Sequence, residues 1–225
     1  MPKVKCKLVA WDEVVNWAYQ LSQKILESGW RPNIIVAIAR GGFVPARLLC
    51  DFMDIHELLS IQIVHWGRAA EITTEAHVKY PYQLDLLGKK VLIVDDICDT
   101  GDSLIVAKKY VEENWKPDEV KLATLQWISP VAKITPDYYV DEVKDWTWYQ
   151  YPWTRLEDTA NFIEKIVDEN KDKKEWTKSE LVEKFKEDYG IDVGEPYYTL
   201  AFRLLEAYGR IKLQGDKIVV TGRKG

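Results

Sequence analysis

Short apolar runs recur along the first two thirds of this chain, at 34–39, 58–64, 91–94, 120–127 and 138–140, with helical patterns between them. The runs at 34–39 and 91–94 have no polar face to offer to water, so they read as strands buried on both sides. Residues 11–28 place Trp11, Val14, Val15, Ala18, Leu21 and Ile25 at helical spacing, with Asp12 and Glu13 near the start and Gly29 just after. Residues 43–52 and 103–114 read as further helices. Strands and helices that alternate in this way favour a parallel sheet with helices on both faces, an α/β fold.

The character changes after about Pro152, where charged residues dominate and no buried strand pattern follows. Residues 155–169 form one candidate helix. Thr177-Lys178-Ser179-Glu180 is a capping-box pattern ahead of Leu181, Val182 and Phe185, and that helix stops near Gly190. Residues 196–208 suggest a third helix, and 210–221 a hairpin turning at Gln214-Gly215-Asp216. The appendage therefore reads as a mainly helical bundle.

Composition narrows the function classes. With 225 residues, the chain suits one full-sized domain plus a small appendage. Cys6, Cys50 and Cys98 are odd in number and widely spaced, which argues for reduced thiols rather than a disulfide scaffold or a zinc clamp. No stretch approaches the roughly 20 apolar residues of a membrane span, and the N-terminus lacks a signal-peptide core, so a soluble, cytoplasmic protein without a membrane partner is expected. The formal charge of −5 makes nucleic acid an improbable partner. Residues 155–225 alone carry 14 Lys and Arg against 15 Asp and Glu, which argues against a DNA-binding winged helix at that end.

The sharpest signal is the run from Val91 through Asp95-Asp96-Ile97-Cys98-Asp99-Thr100-Gly101-Asp102-Ser103. An apolar strand ends in two adjacent carboxylates, and a short loop rich in hydroxyls then opens a helix. Unpaired backbone N–H groups at such a helix start make a cradle for phosphate. Acids touching that phosphate would repel it. Asp95 and Asp96 are better suited to accept hydrogen bonds from sugar hydroxyls, directly or through a hydrated Mg2+.

This segment resembles the phosphoribosyl pyrophosphate (PRPP) signature of type I phosphoribosyltransferases. Residues 35–45, with Arg40-Gly41-Gly42 after the strand, resemble the same family's pyrophosphate loop in its purine, 6-oxopurine-like branch. Residues 148–153 resemble its base-binding hood. The resemblance implies a phosphoribosyltransferase domain with hood over 1–154 and leaves 155–225 as an appendage outside the common fold. It implies PRPP and a purine base as substrates, Mg2+ accompanying PRPP, and a homodimer. Position by position, it assigns Asp99, Thr100, Gly101, Asp102 and Ser103 to the 5'-phosphate, Asp95 and Asp96 to the ribose hydroxyls, Arg40 and Gly41 to pyrophosphate, and Trp148 and Tyr149 to the base. Residues 67–83 correspond to a mobile lid, with Arg68 and Lys79 as its cations.

Asp99 matches the acid that 6-oxopurine enzymes place beside N7 of the base, where it accepts a proton; by position it could equally cap the following helix. One departure bears on the base. Those enzymes have a Lys just after the strand equivalent to 120–127, as donor to the purine O6, whereas Gln126-Trp127-Ile128-Ser129-Pro130 contains none and the next is Lys133. The combination resembles the adenine phosphoribosyltransferases of crenarchaea and makes adenine the expected base, with hypoxanthine, guanine or xanthine as the alternative. A transcription regulator that senses PRPP is a further alternative.

Overall fold

A computed structural model describes residues 2–65 and 76–222. In chain order the elements are β1 (Cys6–Leu8), α1 (Trp11–Glu27), β2 (Ile34–Ala39), α2 (Phe43–Met53), β3 (Leu58–His65), β4 (Ala76–Val78), β5 (Lys90–Cys98) and α3 (Asp102–Trp115). There follow β6 (Glu119–Ile128), β7 (Tyr138–Val143), β8 (Trp148–Gln150), α4 (Arg155–Glu169), β9 (Glu175–Thr177), α5 (Lys178–Tyr189), α6 (Glu195–Ala207), β10 (Ile211–Gln214) and β11 (Lys217–Val220).

The chain forms two compact units. One spans Trp11–Trp146; the other joins the segment ending at Ala10 to the residues from Thr147 onward. The sequence suggested a division at 154/155, but strand pairing gathers the residues differently. β8 pairs in parallel with β1, Cys6 opposite Trp148, so the hood strand and the N-terminal segment group with the C-terminal residues.

The larger unit is a six-stranded sheet in the order β4-β3-β2-β5-β6-β7, parallel except for β4. Alternation within the strands builds two faces. Ile34, Val36 and Ile38 of β2, with Val91 and Ile93 of β5, meet Leu104, Ala107, Val111 and Trp115 of α3. The alternate residues Ile35, Ala37, Leu92 and Val94 are fully buried on the other face, which α1 and α2 cover. This is the doubly covered sheet that the uniformly apolar runs require.

Of the expected lid, Arg68 lies outside the described residues. In the described part, β4 pairs antiparallel with β3, the Lys79 N–H donates to the Gln62 carbonyl at 2.8 Å, and the Tyr82 hydroxyl donates to the Ser60 carbonyl at 2.9 Å. The indole of Trp115 donates to the Tyr82 carbonyl at 2.9 Å, holding that stretch to α3.

The second unit is mainly helical, as its charge and spacing suggest, and also contains a three-stranded antiparallel sheet in the order β10-β11-β9. A helix, a strand, two helices and a terminal hairpin, with the last strand central, make a winged-helix arrangement. Its core joins Ile163 and Ile166 of α4, Leu181 and Phe185 of α5, Tyr198 and Phe202 of α6, and Ile218 of the hairpin. The capping box is present: Thr177 accepts from the Glu180 N–H at 3.1 Å, and Glu180 accepts from the Thr177 N–H at 2.7 Å. No helix is long and apolar enough to cross a membrane among the described residues.

Trp115 is fully buried, so Trp115→Ala should lower unfolding free energy by about 3–5 kcal/mol. Thr177→Ala should cost about 1 kcal/mol through loss of the cap. Denaturant titration of the full chain measures both.

Candidate active site

In the larger sheet, β2 and β5 are adjacent, yet the connection leaving β2 leads to β3 on one side and that leaving β5 leads to β6 on the other. In open α/β sheets the crevice outside such diverging strand ends is where ligands bind. The two motifs singled out in the sequence leave from these two strands. Register pairing between β2 and β5 runs from Ile34 opposite Val91 to Ala37 opposite Val94, and the chains then separate into Arg40-Gly41-Gly42 and Asp95-Asp96.

The two segments meet closely. A Cβ on Gly41 would stand 2.5 Å from Oδ2 of Asp96, and one on Gly42 would stand 2.3 Å from the Val94 carbonyl oxygen and 2.8 Å from that of Ile38. Gly42 has φ of −67°, so space rather than backbone torsion demands glycine there. Arg40 is exposed at the rim.

Asp96 is only 8% exposed, and its Oδ1 accepts from the Ile97 N–H at 2.9 Å. Asp95 is partly buried and accepts from the Asp96 N–H at 3.0 Å. Burial first, and the neighbouring Asp96 charge second, push the Asp95 carboxyl well above the ordinary carboxylate range, with backbone N–H groups of Asp96 and Gly42 opposing. Such a pair favours whatever brings positive charge or hydroxyl donors to it.

The loop after β5 lines a cavity of about 250 Å³ with Asp95, Asp99, Thr100, Gly101, Asp102 and Ser103. Gly101 has φ of +86°, a left-handed conformation that suits glycine, and it starts α3. No side chain caps this helix. The capping role open to Asp99 is thus not used. Asp99 as a whole residue is exposed, but the neighbouring protein keeps water from its carboxyl, and that desolvation raises it above the ordinary value. Below the loop, Cys98 is buried, and burial with the Asp95 and Asp99 charges pushes its thiol up to about 12, so it is not a nucleophile near neutral pH. All three cysteines are free thiols.

Trp148 and Tyr149 belong to the other compact unit. Trp148 is 38% exposed and meets the Phe162 ring edge-on at 5.4 Å, so one side packs on the core and part of the ring stays open. Lys133, considered in the sequence only as the next lysine in place of the absent O6 donor, reaches the loop instead: its ammonium lies 2.8 Å from Asp102. The only hint of it in the sequence is that it is the first basic residue after β6.

An open α/β sheet whose switch point brings together an acidic pair and a glycine-rich loop is an architecture common among nucleotide-binding proteins. The phosphoribosyl transferase domain model matches residues 8–154, and the chain belongs to that enzyme family. Xanthine-guanine phosphoribosyltransferases from Nitratidesulfovibrio vulgaris and Desulfotalea psychrophila are 32% and 29% identical to it, each over 64% of this chain and over 82% and 84% of their own. The solved purine phosphoribosyltransferase of Pyrococcus horikoshii is 31% identical, with a TM-score of 0.57 over 67% of this chain and 94% of that one.

The two glycines should respond differently to a methyl group. Gly42→Ala collides with backbone and should lower Tm clearly. Gly41→Ala meets only a carboxylate and should keep most of the stability while displacing Asp96, seen as weakened PRPP binding by calorimetry.

Proposed function

We propose that the enzyme transfers the 5-phosphoribosyl group from PRPP to N9 of a purine, releasing diphosphate, and that its preferred base is a 6-oxopurine. The observation that carries this reading is the meeting of Arg40-Gly41-Gly42 with Asp95 and Asp96 beside the cradle of residues 99–103. In the reaction the purine N9 attacks C1 of the ribose as the bond from C1 to the diphosphate oxygen breaks, and the base loses a proton. Thr100, Gly101, Asp102 and Ser103 surround the 5'-phosphate, Asp95 and Asp96 hold the ribose hydroxyls, and Arg40 with the Gly41 backbone faces diphosphate. Asp99 accepts the proton near N7; its raised carboxyl brings its proton affinity closer to neutral pH, as a general base needs. The open part of Trp148, with Tyr149 beside it, offers the aromatic surface for the base.

Mg2+ fits this donor set. Two adjacent carboxylates are hard oxygen donors, too few to replace an ion's whole hydration shell. That combination suits an ion that keeps several waters and arrives with diphosphate. Asp95 and Asp96 would hold it through water, and its contribution when bound is to neutralise the leaving diphosphate.

The relatives named for xanthine and guanine support a 6-oxopurine, so the adenine preference expected from the residues after β6 finds no support in them. One observation favours adenine as a second reading: Ile128-Ser129-Pro130 supplies no ammonium for O6. Steady-state assays of PRPP with guanine, xanthine, hypoxanthine and adenine decide. Higher kcat/KM for the 6-oxopurines is expected; the reverse order would favour adenine. Asp99→Asn should lower kcat more than it raises the KM for PRPP. Trp148→Ala should weaken purine binding by about 1–3 kcal/mol, the scale of stacking on aromatic rings.

The winged-helix arrangement gives some weight to a regulator that senses PRPP, but the near-neutral charge of residues 155–225 opposes it. Duplex DNA should bind no more tightly than the salt-sensitive non-specific level. Sequence-selective binding at physiological salt would favour the regulator. We also propose a homodimer, which light scattering checks.

A further inference from the structure

The cradle contains an internal contradiction. Asp102 is the first residue of α3, so its carboxylate already stands where a helix start welcomes an anion, and it accepts the Thr100 hydroxyl at 2.9 Å. A dianionic phosphate entering the same loop would meet a like charge.

Lys133 answers that charge. Its ammonium donates to both oxygens of Asp102, at 2.8 and 3.0 Å. The contact differs from an ordinary surface ion pair because the backbone delivers it. After β6 the chain turns back, with the N–H groups of Val131 and Ala132 donating to the Ile128 carbonyl. The Lys133 N–H then donates to the Thr100 carbonyl at 2.8 Å. Ile134 closes over Gly101, its Cγ2 only 2.7 Å from where a Cβ would stand, and its carbonyl accepts from the Cys98 thiol at 3.6 Å. Three consecutive ties thus hold the 133–134 strap across the loop, and part of the ordering entropy that weakens exposed pairs is met by the backbone. The Lys133 side chain is still 62% exposed, so its third N–H stays accessible.

We propose that Lys133 is a positioning residue for the 5'-phosphate: strapped to the loop by its own backbone, it cancels the Asp102 carboxylate so that the cradle accepts a dianion. The assignment rests on the phosphoribosyl reading of that loop. It gives Lys133 to the phosphate and not to the base, although it is the first lysine after the strand where a base-reading lysine would be sought.

The test compares wild type, Lys133→Ala, Lys133→Arg and the double variant Asp102→Asn/Lys133→Ala. Calorimetry with ribose 5-phosphate alone should show about two- to fivefold weaker binding in Lys133→Ala, the range for an exposed charge pair. Lys133→Arg should retain binding, and the double variant should recover it, because removing the acid removes the need for the base. In turnover, Lys133→Ala should raise the KM for PRPP by a similar factor with little change in kcat or in the KM for the purine. Equal ribose 5-phosphate binding in wild type and Lys133→Ala would overturn the proposal. So would a raised purine KM with unchanged PRPP KM, which would move Lys133 to the base. If wild type turns over no purine while the ribose 5-phosphate pattern holds, the proposed reaction fails and the role of Lys133 stands.

Discussion

Where β2 ends beside β5, the Gly41 backbone and the Asp96 carboxylate share a space that cannot take one more methyl group unless the carboxylate moves. This packing fixes how far the two loops can separate once strand pairing stops at Ala37 and Val94. Asp96 is buried there and Asp95 partly so, and burial together with the Asp96 charge raises the Asp95 carboxyl above the ordinary carboxylate range. Carboxylates kept in that condition represent a local cost to stability, largest where both would be ionised. The cost is relieved when a ligand brings hydroxyls or a cation to them, so the same contact that shapes the crevice also makes it receptive.

Much of the sheet was legible because buried parallel strands advertise themselves. The runs at 34–39 and 58–64 agree with β2 and β3 to within a residue, and the spacing at 155–169 matches α4. β1, β4, β8 and β9 were not legible, since three residues are too few to display a period of two, and their pairing partners are distant in sequence for β1 and β8. The hairpin at the C-terminal end was expected for its turn chemistry, but its joining with β9 into a sheet depended on that unseen strand.

The site shows the same division. Asp95, Asp96, Gly41 and Gly42 were readable because their residue types are unusual beside buried strands, although β5 does not end at the two acids as expected but runs on through them to Cys98, paired with β6. Lys133 was not, because its importance lies in a chain reversal after Ile128 and not in its neighbours along the sequence. The expected capping role of Asp99 fell away because the helix begins two residues further on, at Gly101. The anchoring of residues 79–82 was hidden for a similar reason: Trp115 and Tyr110, more than 25 positions away, supply the hydrogen bonds that hold Tyr82.

The pairing of β1 with β8 has a consequence for how the molecule is made. Val4, Cys6 and Leu8 pack against the core of the C-terminal unit, and the N–H groups of Lys3 and Val4 donate to the Asp188 carbonyl. The segment at 3–8 therefore has partners that follow the whole central sheet along the chain. During translation it must wait, unpaired, while the sheet forms from residues that follow it. A change within residues 3–8 would therefore burden the C-terminal unit, although the whole central sheet separates the two along the chain.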